Sequence, residues 1–174
     1  MADEPAPSAW LLSNLDLIPR AGRALDVACG RGRHALFLAA RGLQVRAVDR
    51  DPDTIAALHA AAARRALPLE AEVLDLEAAG ADGALGDDVY ALVVVVHYLH
   101  RPLFPALLRA VAAGGLLLYE TFTVDQAGHG KPTNPDFLLQ HGELRERLAS
   151  LTILRERDGL FEGRHVAGVM ARKP

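Results

Sequence analysis

The chain has 174 residues, 51% of them hydrophobic and 24% charged, enough for the packed core and covered surface of one domain. A net charge of −3 argues against a general pull toward nucleic acid or an anionic membrane, and a lone cysteine, Cys29, excludes an internal disulfide. The start Met-Ala-Asp-Glu-Pro lacks the basic and apolar stretches of a signal peptide, and the apolar run 91–96 is too short to span a bilayer, so a cytoplasmic protein is expected.

Residues 8–18 read as a leading helix, with Leu11, Leu12, Leu15 and Ile18 at helical spacing and Pro19 closing it. Trp10 on that helix either covers a ligand or belongs to the core. Residues 24–28 form a short strand that enters a turn containing Gly30 and Gly32. A helix over 33–41 follows and stops at Gly42. Residues 45–49 make the second strand, and Asp51 caps a helix that begins at Pro52 and reaches about residue 66. Residues 69–75 alternate as a strand, while 77–86 show no firm pattern.

The unbroken apolar run 90–96 suits a central strand buried on both faces. A helix is expected over 102–113, ended by Gly114-Gly115, then a strand over 116–122. The stretch 123–140 is rich in Gly, Pro, Asn and Asp. A helix over 143–149 and two strands, 151–157 and 165–171, close the order, with a turn at Asp158-Gly159 between the strands. Strand–helix alternation of this kind predicts an α/β fold with right-handed crossovers, a mainly parallel sheet and helices on both faces. The last two strands, as a hairpin, make the sheet mixed.

The turn after the first strand reads Leu25-Asp26-Val27-Ala28-Cys29-Gly30-Arg31-Gly32-Arg33. In an open parallel sheet it lies at the carboxyl edge, where ligands bind. Two ligands suit it. A dinucleotide would set its pyrophosphate on the helix N-terminus, and Gly30-x-Gly32-x-x-Ala35 loosely has that spacing. Asp26 in the turn repels a pyrophosphate, however, and attracts the ammonium and sulfonium of S-adenosylmethionine. Asp49 ends the second strand, where a carboxylate can accept from ribose hydroxyls. Asp75 ends the third, where it either meets an adenine amino group or is a solvated strand end.

In this order, Leu25-Asp26-Val27-Ala28-Cys29-Gly30-Arg31-Gly32, Ala47-Val48-Asp49 and Leu74-Asp75-Leu76 resemble the class I S-adenosylmethionine-dependent methyltransferases. The resemblance implies a Rossmann-like seven-stranded sheet, mostly parallel, with the last strand antiparallel. It further implies that Asp26, Ala28, Gly30 and Gly32 surround the methionine moiety. Asp49 with Arg50 would hold the ribose, and Asp75 with Leu76 the adenine. Within the class, Gly32-Arg33-His34-Ala35-Leu36, His97-Tyr98-Leu99-His100-Arg101 and the loop 130–144 resemble the small bacterial tellurite-resistance subgroup.

The fourth strand delivers His97 and Tyr98 to the same edge. His97 is expected among the cofactor-binding residues and is the first candidate for acceptor chemistry, as a base, a pocket wall or a structural histidine. Tyr98 shapes the acceptor pocket or packs, and His100 starts a helix. Glu120-Thr121-Phe122 reach the edge from the fifth strand, and 123–142 is long enough to act as a substrate lid, whose His129 and Lys131 either meet an anionic acceptor or belong to a solvated loop. The seven histidines are dispersed without ligand spacing, so no metal is expected, and Cys29 reads as a buried turn residue. A monomer or homodimer acting on a small molecule follows. A non-catalytic S-adenosylmethionine sensor and an NAD(P)-binding oxidoreductase are the alternatives.

Overall fold

The computed structural model describes residues 6–174, so the acidic start over 1–5 lies outside the described residues. Five runs rich in aliphatic residues pair in parallel: β1 (Arg23–Val27), β2 (Gln44–Asp49), β3 (Leu69–Val73), β4 (Tyr90–Val96) and β5 (Val111–Phe122). A hairpin of β6 (Thr152–Phe161) and β7 (Arg164–Arg172) completes a seven-stranded sheet in the order β3-β2-β1-β4-β5-β7-β6. β7 runs antiparallel to both of its neighbours. This is the mostly parallel sheet with an antiparallel last strand that the sequence predicts.

Side chains alternate across a strand, so one run of valines feeds two cores. Val93 and Val95 of β4 join Leu25, Val27 and Leu117 on one face, while Leu92 and Val94 join Ala24, Val45 and Leu118 on the other. The second face is covered by α1 (Ala9–Ser13), α2 (Arg33–Ala40) and α3 (Pro52–Arg64), through Leu11, Leu38 and Leu58. The first is covered by α4 (Phe104–Ala110) and α5 (Glu143–Arg147), through Phe104, Leu107 and Leu144. Each such buried side chain contributes about 1.5–3 kcal/mol of transfer free energy. Strand order reverses between β1 and β4, which opens a crevice at their carboxyl ends.

Three elements depart from expectation. The leading helix ends at Ser13, because Asn14 Nδ2 and Ser13 Oγ both donate to the Trp10 carbonyl and compete with the next helical turn. The helix expected to 113 ends at Ala110, where Val111 turns extended and pairs with Tyr90. The ladder then skips to Leu92 opposite Leu116, so 112–115 bulge out. A Cβ on Gly115 would stand 2.8 Å from the Tyr90 carbonyl oxygen, which explains a glycine there. Finally, the hairpin turns at Glu162-Gly163 rather than Asp158-Gly159. Glu162 (φ 51°) and Gly163 (φ 75°) take the two left-handed positions of a tight two-residue turn. Among the described residues no helix is long and apolar enough to cross a membrane.

Candidate active site

The turn leaving β1 is held by backbone bonds from Cys29 N to Val48 O (3.0 Å) and from Gly32 N to Cys29 O (2.9 Å). Gly32 has φ 73°, and a Cβ there would lie 2.3 Å from Leu58 Cδ1, so this glycine lets α2 and α3 close on each other. Gly30 (φ 52°) has open space where a Cβ would be, and its N–H donates to Asp49 Oδ2 at 2.8 Å. Asp49 Oδ1 accepts from Asp51 N at 3.0 Å. Asp51 in turn caps α3, accepting from Asp53 N and from Thr54 Oγ1.

Asp26 is fully buried beneath the first turn of α2, where its Oδ2 accepts from Ala35 N at 3.0 Å. Its Oδ1 is buried without a partner. Burial pushes this carboxyl up to about 7, against the opposing pull of the Ala35 N–H and the Arg33 charge. Cys29 is buried, as expected, and burial raises its thiol.

A cavity of about 360 Å³ opens at the crevice. Ala28, Asp49, Arg50, Asp75, Leu76, His97 and Tyr98 line it, bringing together seven of the residues expected from sequence. Asp26, Gly30 and Gly32 do not line it. Leu74, Glu77, Leu99, Thr121 and Phe122 complete the sides, with Pro132 and Phe137 of the 123–142 loop above. Asp75 Oδ1 accepts from Glu77 N at 3.0 Å, which fixes the end of that wall. Tyr98 is half-buried. Its phenol is raised by burial and by the Glu77 and Asp75 charges. Tyr119 OH donates to Tyr98 O at 2.8 Å and sets its backbone.

His97 follows β4 directly with φ 59°, its N–H donating to Glu120 O at 2.8 Å. Its ring stacks on Phe122 at 4.6 Å between centroids. Burial, then Arg33, Arg164 and Arg157, hold the imidazole down to about 4, so it is neutral at neutral pH. His100 occupies the position before the 3₁₀ turn Arg101–Leu103, the helix-start place expected of it, without a side-chain cap.

His97 also lines a second cavity, of about 440 Å³, on its other side. That cavity carries Arg33, Arg157 and Arg164 with Glu120, Glu162, Leu12 and Phe161. Arg157 pairs with the buried Glu120 through Nε at 2.8 Å and through Nη2, and its guanidinium lies over the rings of Trp10 (5.0 Å) and Phe161 (4.3 Å). Trp10 is core, its Nε1 buried without a partner. Sequence reading missed Arg157 because the turn expected at Asp158-Gly159 set it at a hairpin tip. The longer hairpin carries it inside.

The 123–142 loop is anchored at both ends. Thr123 bridges to Leu139, and Gln126 accepts from His165 N and donates to Lys131 O. His129 and Lys131 line neither cavity; His129 lies against His165, 5.3 Å between rings. Among the described residues no three His, Cys, Asp or Glu side chains are grouped to hold a metal ion.

The strand order and this crevice define the class I S-adenosylmethionine-dependent methyltransferase fold. The sequence profile of the tellurite resistance protein TehB family matches residues 12–160, and the chain belongs to that family. It is 32% identical over 170 residues to Hemagglutinin 1 of Eikenella corrodens, across 87% of this chain and 55% of that protein. The structure of TehB from Haemophilus influenzae is similar with a TM-score of 0.76 at 20% identity, over 95% of this chain and 61% of that one. An S-adenosylmethionine-dependent methyltransferase from Mesorhizobium loti matches with a TM-score of 0.75 at 16% identity, over 95% and 98% of the two chains. This chain thus spans little more than half the length of the Eikenella and Haemophilus relatives.

Proposed function

We propose that this protein is an S-adenosylmethionine-dependent methyltransferase whose acceptor is a small anion. One observation carries the reading: two cavities of opposite charge balance meet at His97, one walled by Asp49, Asp75 and Glu77 against Arg50 alone, the other by Arg33, Arg157 and Arg164 against Glu120 and Glu162. The acidic cavity suits a cationic ligand with ribose and adenine donors. Asp49 and Arg50 would hold the ribose and Asp75 with Leu76 the adenine, while Asp26, Ala28, Gly30 and Gly32 shape the end for the amino-acid moiety. The buried, unpaired Oδ1 of Asp26 suits an ammonium nearby. A dinucleotide fits less well, because the Gly30 N–H that a pyrophosphate would need already donates to Asp49.

The bound cofactor supplies an electrophilic methyl group. The chain supplies position and a dry surface: Phe122 and the neutral His97 ring wall the junction, and Tyr98 closes its side. With its imidazole held near 4, His97 is a weak base, which suits an acceptor that arrives without a proton to lose. A chalcogen oxyanion, in keeping with the family's name, is such an acceptor. Its charge would meet Arg164 and Arg157 before it reaches the methyl. The lone, buried Cys29 supports a reducing, cytoplasmic setting, and we assign a monomer or homodimer.

Calorimetric titration with S-adenosylmethionine, S-adenosylhomocysteine and NAD in parallel tests the reading. Saturable binding of either sulfur nucleoside, and S-adenosylhomocysteine release with tellurite or selenite present, is the expected result. Binding of NAD alone would overturn it, and cofactor binding with no turnover across an acceptor panel would favour a sensor.

A further inference from the structure

Arg101 belongs to the same short segment as His97 and Tyr98, yet its guanidinium reaches the far side of the 123–142 loop. Nη1 donates to Asp136 O at 2.9 Å and Nη2 to Leu138 O at 2.8 Å. Nε and Nη2 also donate to the two carboxylate oxygens of Glu143, at 2.7 and 2.9 Å. Glu143 is buried and is further fixed by Arg147 Nε (2.6 Å) and Gln140 N (2.9 Å). The two carbonyls that Arg101 holds flank Phe137, whose side chain lines the cofactor cavity.

The pattern around Phe137 is asymmetric. Leu138 and Leu139 beside it are 2% and 0% exposed, while Phe137 remains 51% exposed above the cavity. A large apolar side chain left uncovered on a backbone this firmly pinned, at the rim of a cavity, would gain burial from a ligand entering there. Arginine suits the task because its forked N–H groups reach a carboxylate and two separate carbonyls at once, which an ammonium on a single stem does not.

We infer that Arg101 is a positioning residue that holds the Asp136–Leu138 backbone so that Phe137 roofs the cofactor cavity at a fixed height above His97 and Tyr98. The inference rests on the cofactor reading of that cavity. It makes roof and floor parts of one unit: the strand end that carries the floor also sets the roof.

The test compares wild type, Arg101→Gln, Arg101→Lys, Phe137→Ala and the double variant Arg101→Gln/Phe137→Ala. Circular dichroism and thermal unfolding check the fold. Hydrogen exchange reads the amides of 136–139, and surface plasmon resonance reads the dissociation rate of S-adenosylhomocysteine. In Arg101→Gln the 136–139 amides exchange at least about tenfold faster while those of β4 are unchanged, as expected for loss of charge-assisted bonds. S-adenosylhomocysteine leaves roughly tenfold faster from Arg101→Gln and from Phe137→Ala, and no faster from the double variant, because both changes remove one roof. Arg101→Lys is intermediate. An unchanged dissociation rate in a folded Arg101→Gln, or full additivity in the double variant, overturns the inference alone. Failure of wild type to bind S-adenosylhomocysteine overturns the cofactor reading and the inference with it. Should Arg101→Gln not fold, Arg101→Lys with Phe137→Ala and their double variant give the same comparison.

Discussion

Gly30 and Asp49 are joined by a 2.8 Å hydrogen bond from backbone N–H to carboxylate, which ties the tip of the glycine turn to the end of β2. Asp49 therefore serves both the shape of the turn and the cavity wall. Asp49→Ala should weaken S-adenosylhomocysteine binding by about 10–100-fold, the range for losing hydrogen bonds to a charged acceptor. Asp49→Asn should lose less, since its amide oxygen can still accept from Gly30. Calorimetry on the three proteins checks the order; equal affinity of Asp49→Ala and wild type would remove Asp49 from the binding site.

Gly32→Ala should destabilise the fold by about 2–4 kcal/mol, combining a left-handed backbone with a methyl driven into a closed core. The clash is with Leu58, itself only 2% exposed, so the side chain has little room to retreat. Leu58→Ala costs stability alone but makes room for the methyl. Denaturant unfolding of the two single variants and the double variant should show a less-than-additive loss, and simple additivity would contradict the packing role.

His97 sits at φ 59°, a conformation asparagine accepts more readily than alanine. His97→Asn should fold with stability near wild type, and His97→Ala should melt lower. With an oxyanion acceptor, turnover in His97→Asn is expected within about tenfold of wild type. A loss of the roughly 10²–10⁴-fold typical of a removed general base would instead show that the imidazole takes a proton.

Asp26 is pushed up to about 7 from an ordinary 3.8. Its neutral form thus stabilises the fold fully below pH 3.8, and that contribution is lost as pH rises through 7. Asp26→Asn keeps an acceptor for the Ala35 N–H without a charge. Its stability relative to wild type should rise from pH 5 toward pH 7, by up to about 1.4 kcal/mol for each pH step of one, and level off above that. Paired thermal melts from pH 5 to pH 8 test this, and a difference flat in pH would show that Asp26 is ionised throughout.

Glu143 behaves in the opposite sense. Arg101 chiefly, with Gln140 N and Arg147, holds its carboxyl at about 2, below the ordinary 4.5. Its ionised form stabilises the fold above pH 4.5, and this is lost as pH falls toward 2. Melting temperature against pH between 5 and 2.5 should therefore fall less steeply in Glu143→Gln than in wild type.

The parts of this fold legible from sequence are those set by local pattern. The run Tyr90–Val96 and the helix beginning at Pro52 behind Asp51 form where periodicity and capping put them. The ends of β1, β2 and β4 consequently bring Ala28, Asp49 and His97 to one cavity. What was not legible depends on partners distant in the chain. Val111 becomes strand because Tyr90 pairs with it, against the helical trend of the residues before it. Arg157 reaches the second cavity because ladder pairing continues past the turn-prone Asp158-Gly159 to Glu162-Gly163. Nothing in the segment His97-Tyr98-Leu99-His100-Arg101 discloses that its arginine grips a loop from the far side of β5; that contact exists only once the chain has folded.

Trp10 is the protein's single tryptophan, and it lies under the Arg157 guanidinium with Gly168 at its back, where even a methyl would stand 3.0 Å from the indole. Its emission is consequently a one-residue optical signal with no other indole to dilute it. The charge stacked on it is the arginine that an arriving anion would draw away from Glu120. If anions enter as proposed, Trp10 emission should change with the occupancy of the arginine-lined cavity, without a label and before any methyl group has moved.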